Sequence, residues 1–308
     1  MTTLRVLLHV AAQRDYKLPS LDFSTAFLQS SLHKEIWMRR PPGFTGSFPA
    51  GQHLRLLGFA PATTDPSVFL RTDTSLPPFY VLLYVNDLVF ATADTEALTL
   101  VLQCFSFQFS SPQLTPLSTS HSLSAPPSDE SVELSGPYPE LVGYLVCLMT
   151  TSGMGLVLGR RGPVVLTGHA DASRVEDSVS QRSSQGYTFS LGSGSVSWRS
   201  TRSSSVLSST CEAEIYAVAM AAQKLCWLNY LLTDLGEQPR SPPVLYVDKK
   251  AMIALCQEHR LEHRTKHITL RYFLARELQQ RGQLHLVYVA TRANTADVFT
   301  KVLPPGDH

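Results

Sequence analysis

Four acidic residues in the second half of the chain have the chemical character of a metal site. They fall on four different predicted elements, two strand ends and two helices: Asp171, Asp248, Glu214 and Asp297. Two carboxylates about 4 Å apart repel each other by roughly 4 kcal/mol at an effective dielectric of 20, so a cluster of four needs cations. Two Mg²⁺ ions would remove this repulsion, activate a water molecule and stabilise the leaving oxygen of a phosphodiester. A single acid at any of these places is usually a cap or a strand end, so the prediction depends on the set.

One long helix, predicted from Ser208 to Gly236, positions Glu214. Ser209 and Glu212 fit a capping box at its start, and Gly236 fits a helix stop. At about 100° per residue, Glu212 and Glu214 point to nearly opposite sides of this helix. Glu214 shares its side with a stripe of apolar residues, namely Ala217, Val218, Ala221, Leu225 and Leu228. We therefore expect Glu214 to be a buried carboxylate that needs a partner, and Glu212 to lie on a wetter face.

The elements around this helix follow a regular order from about Val164 onward. Apolar alternation predicts a strand that leads to Asp171, and then a hairpin around Gly192-Ser193-Gly194. A short strand ends at Asp248, two helices and a strand follow, and Asn294 is expected to cap a final helix. The predicted order is βββαβααβα, which indicates a mixed α/β (α+β) fold with helices flanking the sheet.

The first half of the chain has its own chemical signal in a predicted hairpin. Residues 79–90 form two β-rich halves around the polar tip Asn86-Asp87, and a strand-like run containing Asp22 precedes them.

From 106 to 139 there are ten serines and six prolines in 34 residues, which predicts a poorly ordered linker.

The composition limits the class of protein, but it does not identify the binding partner. The net charge of +1 over 308 residues requires any basic surface to be local. Five cysteines without a Cys-x-x-Cys pair favour a reducing compartment, so we expect a cytoplasmic location that does not exclude the nucleus. No apolar run approaches the length of a membrane span.

The first half resembles the reverse transcriptase of copia-type retrotransposons. The resemblance rests on the run from Leu21-Asp22 to Ala26-Phe27-Leu28 and on Tyr84-Val85-Asn86-Asp87, which corresponds to a Tyr-Val-Asp-Asp motif. It implies metal-binding roles for Asp22 and Asp87, whereas Asn86 replaces a carboxylate ligand by a neutral amide. The family also has a long segment before the hairpin, and the stretch from Gly51 to Pro66 is too short to contain it. We therefore expect a truncated palm remnant that does not polymerise.

The second half resembles the ribonuclease H domain of the same polyproteins. The matching motifs, in order, are Gly168-His169-Ala170-Asp171-Ala172, Ser208 to Glu214, Tyr246-Val247-Asp248, Arg264 to Ile268, and Asn294 to Lys301. The resemblance implies that the four acids are the catalytic, metal-binding residues and that two Mg²⁺ ions are the cofactor. Three positions depart from the family: Lys249 replaces Asn, Arg174 replaces an aromatic residue, and one extra residue lies near Cys211. We expect Lys249 to pair with Asp248 and to compete with the metal.

These resemblances imply a domain plan of a remnant at 1–105, a linker at 106–139, a connecting remnant at 140–152 and a ribonuclease H-like domain at 153–305. The leading hypothesis is a Mg²⁺-dependent nuclease that cuts RNA in an RNA–DNA hybrid, with no small-molecule cofactor and no membrane partner. The alternatives are a nucleic-acid-binding protein with a spoiled site, and a decayed transposon product without activity.

A basic stretch is the candidate for contacts with the nucleic-acid backbone. Its cationic residues are Arg260, Arg264, Lys266 and Arg271. The alternative interpretation is a solvated helix face, and the salt dependence of hybrid binding distinguishes the two, because each phosphate contact adds to the slope.

Overall fold

The computed structural model contains two β-sheets with helices packed against them. It describes residues 2–22, 50–84, 87–108, 113–115, 155–156, 158, 164–173, 182–192, 194–203, 207, 209–237, 241–257 and 269–301. Two sheets combined with flanking helices confirm the predicted mixed α/β class. Within the described residues, no helix has both the length and the apolar character that crossing a membrane requires.

The first half of the chain forms an antiparallel sheet of six strands in the order β2-β3-β4-β5-β1-β6. Its elements are α1 (Thr2–Gln13), β1 (Ser20–Asp22), α2 (Ala50–Leu56), β2 (Phe59–Pro61), β3 (Val68–Arg71), β4 (Phe79–Tyr84), β5 (Asp87–Thr92), α3 (Thr95–Gln108) and β6 (Gln113–Thr115). The predicted hairpin is present as β4 and β5, which pair from Phe79↔Thr92 to Tyr84↔Asp87.

The second half forms a mixed sheet of five strands in the order β11-β10-β7-β8-β9, in which β10 is parallel to both of its neighbours and the other pairs are antiparallel. Its elements are β7 (Leu166–Ser173), β8 (Ser184–Leu191), β9 (Gly194–Arg202), α4 (Thr210–Asp234), β10 (Val244–Val247), α5 (Lys250–Gln257), α6 (Thr269–Gln280), β11 (His285–Tyr288) and two 3₁₀ turns, Thr291–Ala293 and Thr295–Phe299. The predicted order of elements is confirmed except at its end, where a 3₁₀ turn replaces the final helix.

Two short pieces of the predicted linker have regular structure. Helix α3 continues to Gln108, and Gln113–Thr115 pairs with β1. Both pieces adjoin elements of the first sheet, so backbone pairing and helix continuation offset a composition that disfavours order. Residues 116–139 of that segment, and all of 140–152, lie outside the described residues.

The apolar run of β4 and β5 is explained by burial on both faces of the first sheet. Phe79 and Val81 face a small core that also contains Phe90 and Phe105. Their neighbours in sequence face the other way, because strand side chains alternate. These neighbours, Tyr80, Leu82, Val89 and Ala91, belong to a second and larger core.

This larger core joins the two halves of the chain. It contains residues of α1 and of both sheets, together with the buried stripe of α4, which includes Leu225, Leu228, Leu231 and Leu232. Helix α1 also packs along the edge strand β9, where Arg5 lies over the ring of Trp198 at 3.9 Å from its centroid. The two sheets are therefore held together by apolar burial, which is the main stabilising term in folding.

Polar contacts between the halves concentrate at the carboxyl end of α4. The Tyr80 hydroxyl donates to the Leu235 carbonyl at 2.7 Å, and the Thr64 amide donates to Asp234 at 2.8 Å. Arg14 of α1 forms two hydrogen bonds with the carboxylate of Glu237, at 2.7 and 2.9 Å. Because the last carbonyls of a helix have no partner within it, the first half supplies part of the cap that this helix needs.

We predict that Tyr80→Phe destabilises the protein by about 1–3 kcal/mol, because a buried carbonyl loses its donor. The measurement is the urea unfolding midpoint of the full chain, with an unchanged slope showing that only stability has changed. Tyr230→Phe is the matched control, since Tyr230 lies on the same helix with half of its surface exposed. Equal midpoints for the two variants would contradict the assigned role of the Tyr80 hydroxyl.

Candidate active site

Two of the four acids are brought together by the register of parallel strands. Val247, the last residue of β10, pairs with Ala170 of β7. Asp248 follows Val247 directly, and Asp171 follows Ala170, so the two acids lie side by side. Asp171 is not at the strand end as predicted, because β7 continues to Ser173 through its pairing with β8.

The third acid comes from the start of α4. Ser209 caps this helix by accepting a hydrogen bond from the Glu212 amide at 3.1 Å, and Gly236 follows its end with a φ of 73°. Glu214 is 4% exposed and Glu212 is half-buried, as the helical spacing predicts. Ala217, Val218 and Ala221 on the same stripe are fully buried, so the packing of this face against the sheet positions Glu214.

These three carboxylates form a compact cluster. One oxygen from each of Asp171, Glu214 and Asp248 lies within 4.8 Å of the other two. Burial, followed by the negative charge of Asp171, raises the pKa of Glu214 to about 7. This direction is the one expected for a carboxylate that is removed from water and lies beside another negative charge.

The fourth acid reaches the cluster from the second 3₁₀ turn. Asn294 caps this turn by accepting from the Ala296 amide at 3.2 Å, and its side-chain amide donates to the Ala170 carbonyl of β7 at 3.1 Å. The turn packs against β8 at Gly186, where a Cβ atom would lie 2.7 Å from that of Phe299. A larger residue at position 186 would therefore displace the turn that carries Asp297.

Asp297 is not part of the compact group of three, and a lysine separates it from them. Its Oδ2 pairs with the Lys301 ammonium at 2.9 Å, and its Oδ1 is buried without a hydrogen-bond partner among the described residues. Burial, the largest influence, raises the pKa of Asp297, although Lys301 opposes the shift. The Thr300 hydroxyl, one residue before Lys301, donates a hydrogen bond to Asp171 Oδ2.

Lys249 is placed differently from our prediction. It does not neutralise Asp248 but pairs with Glu214, with Nζ 3.2 Å from Oε1. Asp248 instead accepts a hydrogen bond from the Thr291 hydroxyl at 3.0 Å. The reason is geometric: Glu214 projects from α4 toward the start of α5, so its carboxylate is the acceptor that Lys249 reaches.

The cluster fits a hard divalent cation. Its ligand atoms are all carboxylate oxygens, which Mg²⁺ prefers, and they come from elements that fix their positions. The cluster, in which Asp171 and Glu214 are buried and Asp248 is half-buried, shows acceptor capacity that the described residues leave unfilled, as does the unpaired Oδ1 of Asp297.

Comparison with known proteins finds the same relatives along nearly the whole chain. The Pol polyprotein of transposon RE2 from Arabidopsis thaliana is 26% identical over 407 residues, covering 98% of this chain and 28% of the relative. That of transposon TNT 1-94 from Nicotiana tabacum is 25% identical, covering 99% and 31%. The homologues of this chain are retrovirus-related Pol polyproteins of copia-type transposons. The resemblance drawn from the motifs is confirmed, and the chain spans less than a third of the length of these relatives. No family model matches.

Solved structures with a similar arrangement are more distant. Ribonuclease H1 from Halobacterium salinarum is 15% identical with a TM-score of 0.33, covering 44% of this chain and 93% of that one. A foamy viral protease-reverse transcriptase in complex with double-stranded DNA is 14% identical with a TM-score of 0.44, covering 94% and 70%.

The structure describes only part of the residue set that the resemblance to a reverse transcriptase singled out in this Pol homologue. Asp22 and Asp87 are direct partners on the neighbouring strands β1 and β5, so the register brings their backbones together as the resemblance implies. Asp87 is exposed at the end of its strand. Asn86 lies outside the described residues, as do Arg174, Arg260, Arg264, Lys266 and the side chain of Arg271.

Sequence reasoning missed the residues that hold the acids in place. Thr291, Thr300 and Lys301 all contact a carboxylate of the cluster. For Lys301 the sequence carried a signal, because it follows Asp297 by four residues, a spacing at which opposite charges meet on a helical turn. The threonines gave none, since their contacts depend on tertiary packing.

We predict that the metal-free protein loses stability as the pH rises from about 4.5 to 7. The pKa of Glu214 is higher in the folded protein than its ordinary value of 4.5, so the folded state binds the proton more tightly in this range. The penalty is complete above pH 7 and is on the order of 3 kcal/mol. Urea midpoints in EDTA at pH 5 and pH 8 measure it.

The matched variants are Glu214→Gln and Glu212→Gln. The first should lose most of this pH dependence and be more stable than the parent protein at pH 8, whereas the second should keep it. If Glu214→Gln and the parent show the same change in midpoint between the two pH values, Glu214 is not the titrating group.

Proposed function

We propose that the second half of this chain is a divalent-metal-dependent nuclease of ribonuclease H type, which cleaves the RNA strand of an RNA–DNA hybrid. The observation that carries the proposal is the cluster of Asp171, Glu214 and Asp248, which each place one carboxylate oxygen within 4.8 Å of the other two, with Asp171 and Glu214 buried. The Pol polyprotein relatives support a role in the metabolism of transposon nucleic acid.

Some residues of the site would bind the metal ion, and others orient the carboxylates that bind it. A divalent cation bound to the cluster supplies Lewis acidity toward the phosphodiester and lowers the pKa of a bound water. Asp171, Glu214 and Asp248 would hold this ion. Thr300 and Thr291 each donate a hydrogen bond to one carboxylate oxygen, which fixes the direction of the remaining oxygen.

The preference for an RNA–DNA hybrid rests on the resemblance and on the basic stretch. Arg260, Arg264, Lys266 and Arg271 precede or begin α6 and give the otherwise neutral chain a local positive charge. Phosphate contacts from such a stretch would bind the substrate without reading its sequence.

A second candidate function is nucleic-acid binding without cleavage. The ion pair between Lys249 and Glu214 favours it, because a metal that uses Glu214 has to compete with a cation already in contact. The two functions make the same prediction for binding and opposite predictions for cleavage, so the variants below separate them.

We predict that Asp248→Asn lowers the rate of hybrid cleavage by about 100-fold or more, which corresponds to about 2.7 kcal/mol of lost transition-state stabilisation. Hybrid binding in Ca²⁺ should persist or tighten, because the variant repels the phosphate less. The assay uses a labelled RNA–DNA hybrid with the full chain in Mg²⁺.

Glu212→Gln is the control for this variant, since Glu212 lies on the other side of α4 from the cluster. It should cleave at the parent rate and lose at most about 1 kcal/mol of stability through its place in the first helical turn. Cleavage by Asp248→Asn at the parent rate would refute the proposed site. A parent protein that binds the hybrid but never cleaves it would establish the second candidate.

We propose further that the first half has lost polymerase activity. Alignment with the RE2 relative extends over 407 positions, whereas this chain has 308 residues, so about 100 positions of the relative have no counterpart here. This difference supports an internal deletion, and Asn86 removes one carboxylate of the metal-binding motif.

We therefore predict no primer extension on a primed RNA template. Asn86→Asp alone should not restore it, because the missing segment would still be absent. DNA synthesis by the unmodified chain would contradict the proposed loss.

A further inference from the structure

The four acids are arranged around two separate cation positions, and one of these is filled by the chain itself. Lys301 Nζ lies 2.9 Å from Asp297 Oδ2, 3.4 Å from Asp171 Oδ2 and 3.5 Å from Asp171 Oδ1. Three carboxylate oxygens from two acids therefore surround one ammonium group. At the other position, among Asp171, Glu214 and Asp248, the described residues place Lys249, which contacts a single oxygen of Glu214.

We infer that Lys301 is a fixed cation in the place of a second metal ion, so that this site binds one divalent ion where four acids would otherwise hold two. The inference rests on the proposed function, because it concerns how many ions the proposed nuclease site takes. It differs from the expectation of two Mg²⁺ ions, which followed from the repulsion among four acids and from the resemblance to ribonuclease H domains.

The position of Lys301 is built into the fold. Its backbone amide donates to the Asp297 carbonyl at 2.9 Å, which closes an α-type turn after the 3₁₀ turn and places the side chain beside the carboxylate four residues earlier. The preceding residue, Thr300, is tied to Asp171 by its hydroxyl. The side chain of Lys301 is 28% exposed, so the surrounding residues cover most of it.

Formal charge favours a single ion at this site. Four carboxylates and the two ammonium groups of Lys249 and Lys301 leave two negative charges, which one divalent cation balances. A second divalent ion would place two net positive charges in a largely buried region, at a high cost in desolvation. The buried and unpartnered Oδ1 of Asp297 shows that this carboxylate retains ligand capacity, which a metal could use if Lys301 were removed.

Lys249 and Lys301 form a matched pair for testing whether Lys301 occupies the place of a second metal ion. Lys249 contacts one oxygen of Glu214 and stands beside the three-acid position, whereas Lys301 stands between Asp171 and Asp297. Lys249→Met should therefore tighten the binding of one ion and leave the number of ions unchanged. Lys301→Met should increase the number.

The experiment measures Mn²⁺ bound per full-length chain without nucleic acid, by equilibrium dialysis or from the electron paramagnetic resonance signal of free Mn²⁺. We expect one Mn²⁺ for the parent, one for Lys249→Met at a lower dissociation constant, and two for Lys301→Met. Lys301→Arg, which keeps the charge, should bind one. Lys301→Gln provides a second neutral variant if Lys301→Met does not fold, and circular dichroism verifies folding in each case.

Two Mn²⁺ per parent chain, or one per folded Lys301→Met and Lys301→Gln chain, would overturn the inference and leave the proposed nuclease site intact. A parent chain that binds no Mn²⁺ would instead overturn the proposed site itself, and the inference with it.

Discussion

The repulsion among buried carboxylates is the constraint on which the second half of the chain depends. Asp171 and Glu214 are almost completely buried, and their charges lie within a few ångströms of each other. Such an arrangement destabilises the protein unless cations compensate it. The chain supplies two lysines from different elements, and each contacts a different acid. The structure therefore holds the geometry of a metal site while limiting the cost of keeping it before a metal binds.

Helix α4 connects this site with the rest of the molecule. Its first turns carry Glu214, and its middle packs into the core shared by both sheets. Just beyond its carboxyl end, the Tyr80 hydroxyl donates to the Leu235 carbonyl, and Arg14 donates to the Glu237 carboxylate. A shift of this helix would move Glu214 relative to Asp171. The first half of the chain thus contributes to the placement of a residue in the second half, although the two were predicted as separate units joined by a linker.

The sequence predicted those features that depend on local periodicity. Glu214 was distinguished from Glu212 because two residues of helix rotate a side chain to the opposite face, and the hairpin of β4 and β5 followed from its apolar halves. The contact of Lys249 with Glu214 could not be predicted, because it depends on how α5 approaches α4. Asp297 was expected on a helix, but it lies on a 3₁₀ turn. This turn is held in place because it packs against Gly186 and because the side-chain amide of Asn294 donates a hydrogen bond to the Ala170 carbonyl.

In the first half, buried strands support the polar tip of the hairpin. The interior residues of β4 and β5 are buried against one core or the other, so their substitution would open a cavity in one of them. The residues that flank the hairpin tip, Tyr84 and Asp87, are exposed and belong to neither core. Packing therefore constrains the interior residues of the two strands and places no comparable demand on Tyr84 and Asp87 at the exposed end of the hairpin.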